Sequence, residues 1–117
     1  MCINYDEGNK TITLHTKHTT YQMKVDKYGF LLHLYYGKTA KGCMDYLLTY
    51  YDRGFSGNPY EAGTDKTYSM DSLPQEFPSL GTGDYRSPAC IIQNTDGTCC
   101  SDFRYVSHSI RPGKYSL

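Results

Sequence analysis

The chain has 117 residues, with 12 Lys plus Arg set against 12 Asp plus Glu, so its formal net charge is zero. That balance argues against a surface built to hold nucleic acid, which needs clustered basic residues. The length suits one domain with a modest core, and no apolar run approaches the ~20 residues of a membrane-spanning helix.

The N-terminal stretch "MCINYDEGNK" is polar and lacks the pattern of a secretory leader. "TITLHT" (11–16) alternates, with Ile12 and Leu14 on one face and Thr11, Thr13 and His15 on the other, as a half-buried strand does. "TTYQMKV" (19–25) alternates again, and Tyr21, Met23 and Val25 are expected to point inward. After a turn at "KYG" (27–29), "FLLHLYYG" (30–37) is a nearly continuous apolar run of strand length, expected to be buried on both faces or at a sheet interface. Three strands with short turns predict an antiparallel meander. "DYLLTYY" (45–51) is ambiguous, with length and Tyr content favouring strand over a short helix.

From Asp52 to about Ser72 the sequence is loop-like, punctuated by Gly54, Gly57, Pro59 and Gly63. A second irregular segment, 72–89, carries Leu73, Phe77 and Leu80 to pack it down on the sheets. "ACIIQ" (89–93) and "SDFRYVSH" (101–108) flank Asp96-Gly97 and read as a β-hairpin, since Asp-Gly supplies the positive φ of a tight turn. The sum is an all-β, antiparallel, sandwich-like domain with long ordered loops.

Five cysteines, Cys2, Cys43, Cys90, Cys99 and Cys100, are an odd number without a leader and read as reduced thiols in a cytoplasm. No CxxC pair and no Cys/His cluster has zinc spacing, so neither a metal nor a cofactor is expected. Thirteen Tyr and no Trp favour half-buried strands and permit sugar stacking. Asp52-Arg53, set among Tyr50, Tyr51 and Phe55, could accept sugar hydroxyls, or could be a local ion pair pinning a loop. Asp65-Lys66 repeats the theme at the other end of the loop. Glu76, Asp84 and Arg86 bring two carboxylates into one segment, but nothing local shows them converging as a glycosidase pair must. No GxSxG, GxGxxG or phosphate-loop motif occurs.

Four segments in order, "FLLHLYYGK" (30–38), "YDRGFSGNP" (51–59), "DKTYSMDSLPQEFPSLGTGDYRSPA" (65–89) and "SDFRYVSHSI" (101–110), resemble the start of family 36 glycoside hydrolases, bacterial α-galactosidases of the raffinose and melibiose type. The resemblance spans essentially the whole chain. It implies part of an N-terminal β-supersandwich, with a catalytic barrel and its two aspartates on polypeptide absent here, so residues 1–117 are expected to be inactive alone. It further implies a homo-oligomer, tetrameric in the intact family, in which this domain lends a loop to a neighbouring active-site mouth. Asp52 and Lys66 would face the α-galactoside there, with Arg53, Phe55 and Asn58 shaping the loop. The family commonly has Arg at the position of Lys66, Trp at that of Tyr36 and Pro at that of Gly57; Gly57 is expected to loosen the loop. The competing expectations are a stand-alone carbohydrate-binding module and a structural interaction module.

Overall fold

The computed structural model describes residues 2–52, 54 and 57–113. Four strands, β1 (Cys2–Asp6), β2 (Thr11–His15), β3 (Thr19–Val25) and β4 (Leu31–Lys38), form one antiparallel sheet in the order β1-β2-β3-β4. This is the expected meander, with one strand more: β1 lies in the stretch passed over as a polar terminus. Short side chains close its turns. Asp6 Oδ1 accepts the Gly8 and Asn9 N–H groups at 2.9 and 3.2 Å, and Thr16 Oγ1 accepts Thr19 N–H at 3.0 Å. The β3–β4 turn rests on Asp26, whose Oδ1 accepts Tyr28 and Phe30 N–H at 2.9 and 2.8 Å.

The two faces of the sheet do not divide as the alternation suggested. Register places Ile3, Leu14, Tyr21 and Tyr36 in one row across all four strands, and Tyr5, Ile12, Met23 and His33 in the next. None of these eight residues is buried, and Tyr36 is 68% exposed. Tyr21 and Met23 therefore share a face with buried Val25, as expected, but the face itself is only half-buried. The other face carries Thr11, Thr20 and Gln22, all buried. Segment 39–47 covers it through side-chain-to-backbone bonds. Thr20 Oγ1 accepts Ala40 N–H at 3.0 Å, Gln22 Oε1 accepts Met44 N–H at 2.8 Å, Gln22 Nε2 donates to Gly42 O at 3.0 Å, and Lys24 Nζ meets Asp45 at 2.8 Å. Polar side chains are buried here because each finds a partner.

The core sits under β4, where Phe30 and Leu32 pack with Ala62, Tyr68, Met70 and Leu73. β4 alternates in burial until Leu34, so it is buried on one face rather than two. A register shift opposite Gln22/Met23 marks a bulge there. The outer edge of β4 is capped, since His33 N–H donates to Pro74 O at 2.7 Å and Glu76 N–H to Leu31 O at 2.8 Å.

Three expected strands are not formed. In 45–51 the regular element is a 3-10 turn, Asp45–Leu47, fixed by the Lys24 ion pair rather than by strand pairing. The Asp96-Gly97 turn is present, with Gly97 at φ 85° and Asn94 N–H on Thr98 O at 2.8 Å, but neither 89–93 nor 101–108 is a strand. Their apolar residues stand out: Ile91 is 67% and Val106 89% exposed. Extended legs without a neighbouring sheet have no ladder to join. The last leg is instead tied down by isolated backbone bonds, Ser101 N–H to Leu80 O at 2.9 Å and Tyr105 N–H to Gly29 O at 2.8 Å, and by side chains, with Arg104 Nη1 on Tyr28 O at 2.7 Å and the His108 ring edge-on to Tyr5 at 4.4 Å.

The radius of gyration is 15.9 Å, whereas a compact domain of this length has about 13 Å. The accessible surface of 8173 Å² likewise exceeds the roughly 6,500 Å² expected for this mass. One sheet with one covered face accounts for both.

Candidate functional site

The loop that follows the 3-10 turn is rooted in an aromatic cluster. Tyr68, 1% exposed, donates its hydroxyl to Asp26 Oδ2, which anchors the loop to the β3–β4 turn. Tyr28 meets the Tyr68 ring edge-on at 4.7 Å and Tyr50 stacks on it at 6.1 Å. Lys27 Nζ lies 4.8 Å from the Tyr28 centroid and 3.8 Å from Asp65 Oδ2. Burial pushes the Asp26 carboxyl above its ordinary range, although the N–H groups of Phe30, Tyr28 and Gly29 and the charge of Arg104 pull the other way. Asp65 is held below the ordinary range by its bonds from Thr67 and, less, by Lys27.

Asp52 is exposed, and its Oδ1 accepts Gly54 N–H at 2.7 Å, a local turn that aims the carboxylate outward. Its other oxygen has no partner among the described residues. Lys66 is exposed and has no hydrogen bond or ion pair among the described residues. No contact joins Asp52 to Lys66. Asn58 Nδ2 donates to Gly63 O at 3.3 Å and Asp65 O at 3.5 Å, closing the loop on itself around a 3-10 turn, Tyr60–Ala62. Arg53 and Phe55 lie outside the described residues. Gly57 is not a loose point. A Cβ added there would lie 2.7 Å from the Gly83 Cα, so the two backbones pack in contact, and Met70 N–H donates to Gly57 O at 3.0 Å.

The carboxylates of the second irregular segment are held apart from this loop. Glu76 takes His33 Nδ1 at 2.8 Å and the Tyr21 hydroxyl. Asp84 takes Arg86 and, at 2.9 Å, Gln75 Nε2. Sequence reading missed Asp26, Lys27 and Tyr68 as the loop's anchors. "VDKYGF" showed a turn, but its partner lies 42 residues on, beyond any local pattern.

An all-β sheet carrying a polar-aromatic loop is the class of protein these features define. The sequence matches the glycosyl hydrolase family 36 N-terminal domain over residues 29–117, and the chain belongs to that family. It is 61% identical to the bifunctional alpha-galactosidase/sucrose kinase AgaSK of Mediterraneibacter gnavus, across 100% of this chain and 12% of that protein. The solved galactosidase domain of AgaSK superposes with a TM-score of 0.95 at 60% identity, over 99% of this chain and 16% of the other. AgaB of Geobacillus stearothermophilus, a GH36 alpha-galactosidase, superposes with a TM-score of 0.88 at 38% identity, over 100% of this chain and 16% of the other. A variant of AgaA from the same organism, solved in complex with raffinose, superposes with a TM-score of 0.78 at 35% identity over 86% of this chain and 14% of the other. The chain thus spans 12–16% of the length of these relatives.

Proposed function

We propose that this chain is the N-terminal scaffold of an α-galactosidase that removes terminal α-galactosides such as those of melibiose and raffinose, with the bond-breaking groups on other polypeptide. The observation that carries the reading is the half-covered sheet face. Two complete cross-strand rows of apolar and aromatic residues are only half-buried, with Tyr36 exposed, as a surface that seats against further protein is. The family membership supplies the rest. In this reading the 52–66 loop reaches a sugar-site mouth in a homo-oligomer, tetrameric as the family resemblance implies. Asp52 and Lys66 orient the galactoside by hydrogen bonds and take no part in cleavage. The five cysteines, all free, fit a cytoplasmic setting.

The test has two arms. The pure chain is incubated with p-nitrophenyl α-galactoside, and no p-nitrophenol above background is expected. The chain is then mixed with a family 36 α-galactosidase lacking the matching segment, and co-elution with recovered hydrolysis is expected. Hydrolysis by the chain alone, or failure to assemble, would overturn the reading.

A further inference from the structure

A cleft of about 350 Å³ lies behind the Tyr60–Ala62 turn, walled by residues 58–61, 81–82, Asp102 and Arg104. Its floor is apolar: Phe30 is 2% and Met70 0% exposed. An apolar floor with a few convergent polar groups, at a volume of ~300 Å³ or more, is the usual form of a small-molecule site. Neither Asp52 nor Lys66 lines it.

Its polar groups select the ligand by elimination. Arg104 lies over the Phe30 ring at 4.0 Å. It gives Nε and Nη2 to Asp102 at 2.6 and 2.9 Å, and Nη1 to Tyr28 O at 2.7 Å. The guanidinium is therefore rigid, neutralised and already committed, and offers little to a phosphate or carboxylate. Among the described residues no group of three His, Cys, Asp or Glu could hold a metal ion. Other groups remain available. Glu61 is half exposed, with Oε1 only within 3.6 Å of Arg104, which leaves acceptor capacity. The Thr82 hydroxyl has a single contact, 3.5 Å to Ser79 O, at the outer limit of a hydrogen bond. Tyr60 stands on the rim with 98% of its surface exposed, and no ring or cation stacks on it among the described residues.

We propose that this cleft is a second carbohydrate site, separate from the mouth loop, that takes a neutral pyranose unit of an oligosaccharide. Sugar hydroxyls donate to Glu61 and pair with Thr82, and the C–H face of the ring stacks on Tyr60. Acidic sugars and phosphosugars are rejected, because the rim carries two carboxylates against one neutralised cation.

The test is an amide-shift titration of the whole chain with raffinose, with glycerol and inorganic phosphate as comparison probes. Saturable millimolar shifts at Tyr60, Glu61 and Thr82 are expected with raffinose alone. They persist in Asp52→Ala, and weaken about tenfold or more in Tyr60→Ala and Glu61→Ala. Tyr60 is so exposed that its removal leaves the fold intact, and the unchanged spectrum of the rest of the chain checks this. Absence of shifts at these residues overturns the proposal, as do equal shifts with glycerol or phosphate. Shifts that vanish in Asp52→Ala but survive Tyr60→Ala also overturn it, and leave the mouth-loop reading standing.

Discussion

Arg86 closes on Asp84 with two parallel bonds, Nε to Oδ1 at 2.9 Å and Nη2 to Oδ2 at 2.8 Å, while the same Nη2 reaches Met70 O at 3.0 Å and Leu73 O at 2.6 Å. One planar side chain thus joins residues 70–73 to 84–86, a task that the compact charge of a lysine performs poorly. The Asp84 side chain is 0% exposed and that of Arg86 44%. Arg86→Met strands a buried carboxylate. The expected loss is about 3 kcal/mol, near the lower end for a broken buried pair because water reaches the arginine side. Urea denaturation of the two proteins measures it, and an unchanged midpoint would remove the staple from the account.

The same carboxyl sets part of the acid limit. Burial would raise Asp84, but the bonds from the Arg86 side chain and backbone, the arginine charge and Gln75 outweigh it and hold the group below the carboxylate range. A group depressed in the fold contributes stability above its unfolded value of ~3.9, which is lost as pH falls through the folded value. Stability is expected to drop below about pH 4, with a shallower drop in Asp84→Asn. Thermal melts across pH 2–6 report it.

Asp26 works in the opposite sense. Its raised carboxyl means that the fold favours the neutral form, so its contribution is fully present below the unfolded value and fades as pH rises through the folded one. Asn at this position keeps an acceptor for Tyr28 and Phe30 N–H, and the Tyr68 hydroxyl can turn to accept. Asp26→Asn is therefore expected to gain on the parent protein as pH rises above about 4. A gap that narrows over that range would contradict the burial argument.

Gly83 combines φ of 92° with backbone contact, and a Cβ there would lie 2.7 Å from the Gly57 Cα. Gly83→Ala meets both penalties and is expected to cost about 2 kcal/mol or more. Gly97, at φ 85° with nothing within 4 Å of its Cβ position, meets only the first. Gly97→Ala should cost about 1 kcal/mol. Equal losses at both positions in urea melts would show that the close approach is unimportant.

The half-buried rows of the sheet should make the isolated chain sticky. Self-association that grows with concentration, together with binding of an apolar dye, is expected in sedimentation and fluorescence. Tyr36→Lys places a charge on the most exposed member of the row and should reduce both without lowering the melting temperature. A monomer that stays monodisperse at high concentration would sink the idea that this face awaits a cover.

The meander was legible because alternation and turn residues are local: Ile12–Leu14, Tyr21–Met23 and the turn at Gly29 all lie within a few residues of their partners. Burial was not. Thr20 and Gln22 look like solvent-facing residues until Ala40, Gly42 and Met44 supply their bonds from 20 or more residues away. The hairpin at Asp96-Gly97 shows the converse: local chemistry makes the turn, but strands need a sheet beside them. At the candidate loop, the residues themselves pointed to Asp52 and Asp65 as polar groups, and the family resemblance to Asn58. The anchor from Asp26 to Tyr68 and the Gly57–Gly83 contact left no trace in spacing.

The bond from Arg104 to Tyr28 O joins positions 76 residues apart. The hairpins of the meander can form on microsecond timescales, whereas this clasp must wait for a long loop to close. The terminal leg is thus laid down late and released early. A protease cutting at the exposed Asp96-Gly97 turn would leave two pieces held by that clasp, the His108–Tyr5 and Phe77–Phe103 ring contacts, and a few bonds such as Tyr105 N–H to Gly29 O and Ser101 N–H to Leu80 O, and they would part under mild denaturant before the meander melts.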